Sequence, residues 1–104
     1  MCDLTGGAGS EQFGMRPVIV MQNDKGNDVS PVTTVIPLTS RQKHFVPTHV
    51  RIPADVLGTT LDSVALVEQI RVVDRSRLRK RLGKIKNADV LAKLGRKVRQ
   101  NLEI

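Results

Sequence analysis

The chain alternates short apolar runs with polar turns over most of its length, then changes period near its C-terminal end. Pro17-Val18-Ile19-Val20-Met21 is short, β-branched and apolar, the pattern of a buried strand. Val32-Thr33-Thr34-Val35-Ile36-Pro37-Leu38 predicts a second strand, with Pro37 suggesting an edge position or the strand's end. His49-Val50-Arg51-Ile52 alternates as a half-buried strand does, and Ser63 to Val67 begins another that runs on through Ile70-Arg71-Val72-Val73. Leu82 to Ile85 reads as one more short strand. The intervals carry turn chemistry: Gly6-Gly7-Ala8-Gly9-Ser10, Gln22 to Asn27, the polar loop Ser40 to Pro47, and Pro53 to Gly58, which has room for one helical turn. Asp74-Arg75-Ser76-Arg77-Leu78 predicts a short helical turn capped by Asp74. From Ala88 onward the period is helical. Val90, Leu91, Leu94, Val98 and Leu102 form one apolar stripe, with Lys93, Arg96, Lys97 and Arg99 off it. Gly95 weakens that helix by about 1 kcal/mol relative to Ala.

Several short strands followed by one helix predict a mainly β fold, a small and strongly bent sheet or barrel with a C-terminal helix. There is no internal repeat and no linker, so residues 1–104 form a single domain able to bury one modest core.

Charge narrows the function. Lys and Arg total 17 against 10 acids, a net charge of +7. That excess favours a polyanionic partner and ranks nucleic acid first, ahead of an acidic protein, an anionic membrane face or a basic protein with no such partner. Cys2 is the one cysteine, so no internal disulfide forms and a reducing cytoplasm fits. No segment is apolar enough to span a membrane, and the N-terminus lacks signal-peptide order.

Familiar motifs fail on inspection. Gly9-Ser10-Glu11-Gln12-Phe13-Gly14 has P-loop glycine spacing, but Met15 stands where Lys is required. One cysteine and two histidines, His44 and His49, do not make a structural zinc site, and each histidine reads as solvated or locally hydrogen-bonded. The dense basic run from Arg75 to Lys86 is either one solvated face or a sequence-independent phosphate track. Phe13 reads as tucked into the core. Phe45, in a basic loop, either does the same or offers a face for base stacking.

Longer stretches carry more. Gly9-Ser10-Glu11-Gln12-Phe13-Gly14-Met15-Arg16-Pro17-Val18 resembles the Gly-Ser-Glu-Gln-x-Gly-x-Arg-Pro-Val signature of the MazF/PemK toxins. Further matches follow in the family's order: Gln22-Asn23-Asp24, Leu38-Thr39-Ser40, Pro47-Thr48-His49-Val50, Asp62-Ser63-Val64, Glu68-Gln69-Ile70-Arg71, and Asp74 with Arg77-Leu78. The resemblance covers nearly the whole chain up to Leu78 and beyond it rests on a basic C-terminal helix.

The resemblance implies an SH3-like small barrel, usually a homodimer. It also implies a toxin that cuts single-stranded RNA at short sequences without metal or other cofactor. The products carry a 2′,3′-cyclic phosphate and a 5′-hydroxyl, and an acidic antitoxin blocks the RNA groove. The family's catalytic Arg and Thr fall on Arg16 and Thr39. Ser10, Glu11 and Gln12 fall in a loop flanking the RNA, Gln69 on a base-contacting residue, and Phe45 in the loop that helps choose sequence. The general base is unassigned, His44 being a weak candidate. The family's first strand ends near Asp3-Leu4, so the expectation here is a missing or truncated first strand, from either a start that lies upstream or a truncated, inactive form of the toxin. Two other readings stand beside this one: a toxin of the same fold that poisons DNA gyrase by protein contacts, and a non-catalytic RNA-binding module.

Overall fold

A computed structural model describes residues 1–4, 14–21, 30–40, 47–58 and 61–102. Its frame is β4, Val32–Thr39, which carries neighbours on both edges. On one edge lies β3, Val18–Val20, in the antiparallel register Val18↔Pro37 to Val20↔Val35. On the other lie β7, Arg71–Asp74, against the first half of β4, and β6, Ser63–Leu66, against its end. β5, His49–Ile52, extends the sheet beyond β6. β1, Cys2–Asp3, and β2, Met15–Arg16, form a separate short ladder.

The strand foreseen from Ser63 to Val73 is one path broken by the 3-10 turn Val67–Gln69. Val35 pairs with Arg71 and Leu38 with Ala65, so Ile36 and Pro37 stand opposite the whole segment from Leu66 to Ile70. This wide bulge bends the sheet.

It also corrects the reading of Pro37 as an edge or terminal residue, because Pro37 is fully buried inside the central strand. The Leu38 N–H donates to the Pro17 carbonyl at 3.0 Å, so the Pro37 nitrogen points the other way, toward the bulge. There the partner strand has moved off and no ladder N–H is required.

Because β4 is covered on both faces, it serves two cores. Ile36 and Leu38 join Ile19, Val50, Ile52, Ala65, Val67 and Leu94 on one face. Val35 joins Cys2, Leu4 and Val73 on the other, with Val18 and Leu78 against them. The first core is closed by α2, Ala88–Leu102, whose start is capped by Asn87 Oδ1 accepting from the Val90 N–H at 3.1 Å. Of the predicted stripe, Leu94 is fully buried and Val90 and Val98 pack beside it, but Leu91 and Leu102 stay exposed.

Smaller predictions also resolve. The turn after Pro53 contains one helical turn, α1 (Ala54–Leu57), closed by Gly58 at φ 70, a left-handed position that suits glycine. Asp74 Oδ1 accepts from the Ser76 N–H at 2.9 Å and caps the 3-10 turn Arg75–Arg77, as expected. No strand forms over Leu82 to Ile85. Leu82 is exposed, and of this segment only Ile85 packs against the core.

The ladders among the described residues do not close a barrel. β1 instead sits where the sheet curls back on itself. It pairs with β2 on one side, and on the other Cys2 bridges to Leu78 while the Arg79 N–H donates to the Met1 carbonyl at 2.8 Å. The expected end of a first strand is therefore present as a stub bonded along both edges.

Candidate active site at the end of β4

Three of the residues singled out in the sequence converge on the C-terminal half of β4. Thr39 is its last residue and half-buried. Arg16 is exposed in β2, which continues into β3 and stays beside β4. The register Val18↔Pro37, followed by the bond from the Leu38 N–H to the Pro17 carbonyl, brings the chain just after Arg16 alongside the last residues of β4, which end in Thr39. Pro17 lacks the N–H that would return the Leu38 bond, and its ring fixes the backbone between Arg16 and the core strand.

Gln69 reaches the same region from the other edge of β4. It ends the 3-10 turn that bulges opposite Ile36 and Pro37, and the turn is held down by the buried Val67. Glu68, Gln69, Ile70 and Arg71 border a small cleft of about 230 Å³.

The remaining predicted site residues, Ser10, Glu11, Gln12 and Phe45, and the weak candidate His44, lie outside the described residues. The stem of the segment holding the first three is described: the Leu4 N–H donates to the Gly14 carbonyl at 2.8 Å, so that segment leaves and returns immediately beside Arg16.

A clasp behind Gln69 went unread in the sequence. His49 is 4% exposed, and its Nε2–H donates to Glu68 Oε1 at 3.0 Å. The carboxylate accepts only, so the donated proton sits on Nε2. The Thr48 hydroxyl donates to Glu68 Oε2 at 2.9 Å. One carboxylate thus ties the start of β5 to the turn that carries Gln69. Both halves stood in the quoted motifs, Pro47-Thr48-His49-Val50 and Glu68-Gln69-Ile70-Arg71, but nothing in their separation along the chain announced that they meet. His49 is therefore locally hydrogen-bonded, one of the two roles read for it.

Beside Arg16, Cys2 is fully buried. Burial pushes its thiol up, against the pull of the chain's amino group and of Arg71 and Arg77. It behaves as a small apolar side chain and not as a nucleophile.

An exposed arginine on a strand beside the one that ends in a hydroxyl, with an amide on the far edge, suits a phosphodiester better than an uncharged substrate. The sequence pattern of the PemK-like, MazF-like toxin of type II toxin–antitoxin systems matches residues 1–102. The chain belongs to this family. It is 52% identical over 77 residues to the endoribonuclease EndoA of Bacillus subtilis (strain 168), a match covering 73% of this chain and 66% of that relative. The family's solved structures share the fold. MazF of Deinococcus radiodurans superposes with a TM-score of 0.83 at 34% identity, covering 99% of this chain and 90% of that one. A MazE–MazF structure from the same organism gives 0.73 at 33% identity, covering 88% and 84%. No helix among the described residues is long and apolar enough to cross a membrane.

Proposed function

We propose that this chain is the toxin of a type II toxin–antitoxin pair, a metal-independent and sequence-specific endoribonuclease acting on single-stranded RNA in the cytoplasm. The observation that carries this reading is the family match across residues 1–102, joined to 52% identity with a named endoribonuclease.

The substrate supplies its own nucleophile. A ribose 2′-hydroxyl loses its proton and attacks the neighbouring phosphorus, the bond to the 5′-oxygen breaks, and that oxygen takes up a proton. Products are a 2′,3′-cyclic phosphate and a 5′-hydroxyl. Charge gathers on the phosphate oxygens in the transition state. Arg16 meets it with a planar fork of donors and steadies the leaving oxygen. The Thr39 hydroxyl donates to a phosphate oxygen and holds the in-line geometry. Gln69 reads a base edge from the opposite side of β4. Ser10, Glu11, Gln12 and Phe45 complete the RNA-binding surface in this reading.

The chain works as a homodimer and is inhibited by an acidic antitoxin. The exposed apolar residues Val32, Val72 and Leu102, beside a cleft of about 450 Å³, supply a face for a protein partner.

The test is incubation of purified protein with a long single-stranded RNA in EDTA, beside Arg16→Ala, with the fragment ends read. Cleavage leaving 5′-hydroxyl ends, lost in the variant, is expected. Intact RNA after incubation with folded protein would overturn the proposal.

A further inference from the structure

Between Asp74 and Asp89 the chain carries seven Arg and Lys residues and no acid. The sequence leaves this run as either a solvated face or a phosphate track. The structure shows that it is not the face of a regular element. Residues 79–87 form neither helix nor strand, and Lys80, Arg81, Lys84 and Lys86 are exposed along them.

Where this segment begins matters most. Cys2 pairs with Arg16 on one side and bridges to Leu78 on the other, and the next residue, Arg79, is bonded to the Met1 carbonyl. Two strand spacings, about 10 Å, therefore separate the Arg16 backbone from the start of the basic run. At its far end the segment delivers the chain to α2, which packs on the 3-10 turn bearing Gln69. The run thus starts at the β2 edge of the site and ends at the first turn of α2.

Exposed Lys and Arg on an irregular segment supply charge without fixed donor geometry. That suits contact with a backbone of repeating phosphates and carries no base information. The run contains no aromatic residue on which a base would stack. An acidic polypeptide would be attracted too, but its binding needs no continuity with Arg16, whereas an RNA held there has to leave the site across a neighbouring surface.

We propose that residues 79–86 form a phosphate track that carries the RNA backbone beyond the cut site, giving sequence-independent affinity that grows with RNA length. This rests on the ribonuclease reading above. The test compares wild type with the combined variant Lys80→Gln, Arg81→Gln, Lys86→Gln, three exposed positions outside the strands and helices. The probes are 2′-O-methyl oligouridylates, which lack the attacking hydroxyl, of about 6 and about 18 nucleotides, with polyglutamate as the acidic polypeptide.

Each phosphate contact on a single strand contributes about −0.7 to the slope of log affinity against log salt, so losing three flattens the long-probe slope by about 2. Between about 50 and 200 mM salt that is about a 20-fold smaller fall in affinity. The short probe's slope should change by less than about 1. An unchanged long-probe slope, an equal change on both lengths, or loss of polyglutamate binding with the RNA slope intact would each overturn the track. Wild-type cleavage of a long RNA is measured alongside. Its absence counts against the ribonuclease reading, whereas cleavage with an unchanged slope counts against the track alone.

Discussion

Leu94→Ala should be among the most damaging single truncations in this protein, and Leu91→Ala, on the same helix, among the mild ones. Leu94 is 0% exposed and sits in the core formed by Ile36, Leu38, Val50, Ile52 and Val67. Its surroundings are strand and 3-10 backbone, which cannot collapse far into the space left behind. The expected loss is therefore about 3–5 kcal/mol, the transfer term plus a cavity term. Leu91 is 45% exposed and outside that core, so its truncation should cost about 1 kcal/mol or less. A folded chain of 104 residues holds about 5–15 kcal/mol in all, so the first change removes about a fifth or more of the stability and the second a small fraction. Urea unfolding at one fixed protein concentration is the assay, because self-association would otherwise shift the midpoint. A shared m-value with midpoints well apart is expected. Unfolding free energies that differ by less than about 1 kcal/mol would refute the claim that α2 is anchored through Leu94. A consequence for the site follows: Val67 shares that core and begins the turn holding Gln69, so Leu94→Ala should weaken RNA cleavage even at temperatures where it remains folded.

Thr39→Val should lower kcat by about 10²-fold while Thr39→Ser keeps most of it, since the hydroxyl is the group required; equal losses in single-turnover cleavage would contradict the assigned role. Arg16→Lys should recover only part of the activity lost in Arg16→Ala, because a point charge does not replace the bidentate fork. Glu68→Ala should cost about 1–3 kcal/mol by orphaning the buried His49 ring, and Glu68→Gln should restore most of it, since the amide oxygen accepts from His49 and its NH₂ donates to Thr48; matching urea midpoints for the two variants would argue against the clasp. The Asp74 carboxyl is held below its usual range by the hydrogen bonds from Ser76. A lowered folded-state value means stability present above the ordinary carboxylate range and lost as pH falls through it, so the gap between wild type and Asp74→Ala should close on acidification. A gap that stays constant down to pH values below that range would contradict this.

Elements whose signal is local were legible in the chain. His49–Ile52 falls where its alternation placed it, α2 begins at Ala88 as its periodicity required, and the Asp74 cap forms the hydrogen bond its side chain suggested. Misreadings arose where the deciding partner is distant. Pro37 disfavours a central strand on propensity alone, yet the bulge at Leu66 to Ile70 frees the one position where its missing N–H has no cost. Leu82 to Ile85 has apolar residues enough to suggest a strand, but the segment forms no ladder and only Ile85 reaches the core. The helical stripe was found as five equivalent positions, and only packing against the sheet distinguishes Leu94 from Leu91 and Leu102.

The same division runs through the site. Arg16 and Thr39 are 23 positions apart, and neither spacing nor residue type marks them as a pair; motif resemblance alone singled them out. The structure brings their strands together, because β3 and β4 are antiparallel neighbours and the chain just before β3, which holds Arg16, stays beside β4. Thr48 and Glu68 meet for an analogous reason. β5 and β6 pair with His49 against Leu66, so the residues flanking that pair are brought within reach although 20 positions separate them. Register is a two-strand property. A single strand's sequence states which face a side chain takes, but not what stands opposite it. That is why the chain disclosed its elements and candidate residues, whereas the contacts that join them had to await the fold.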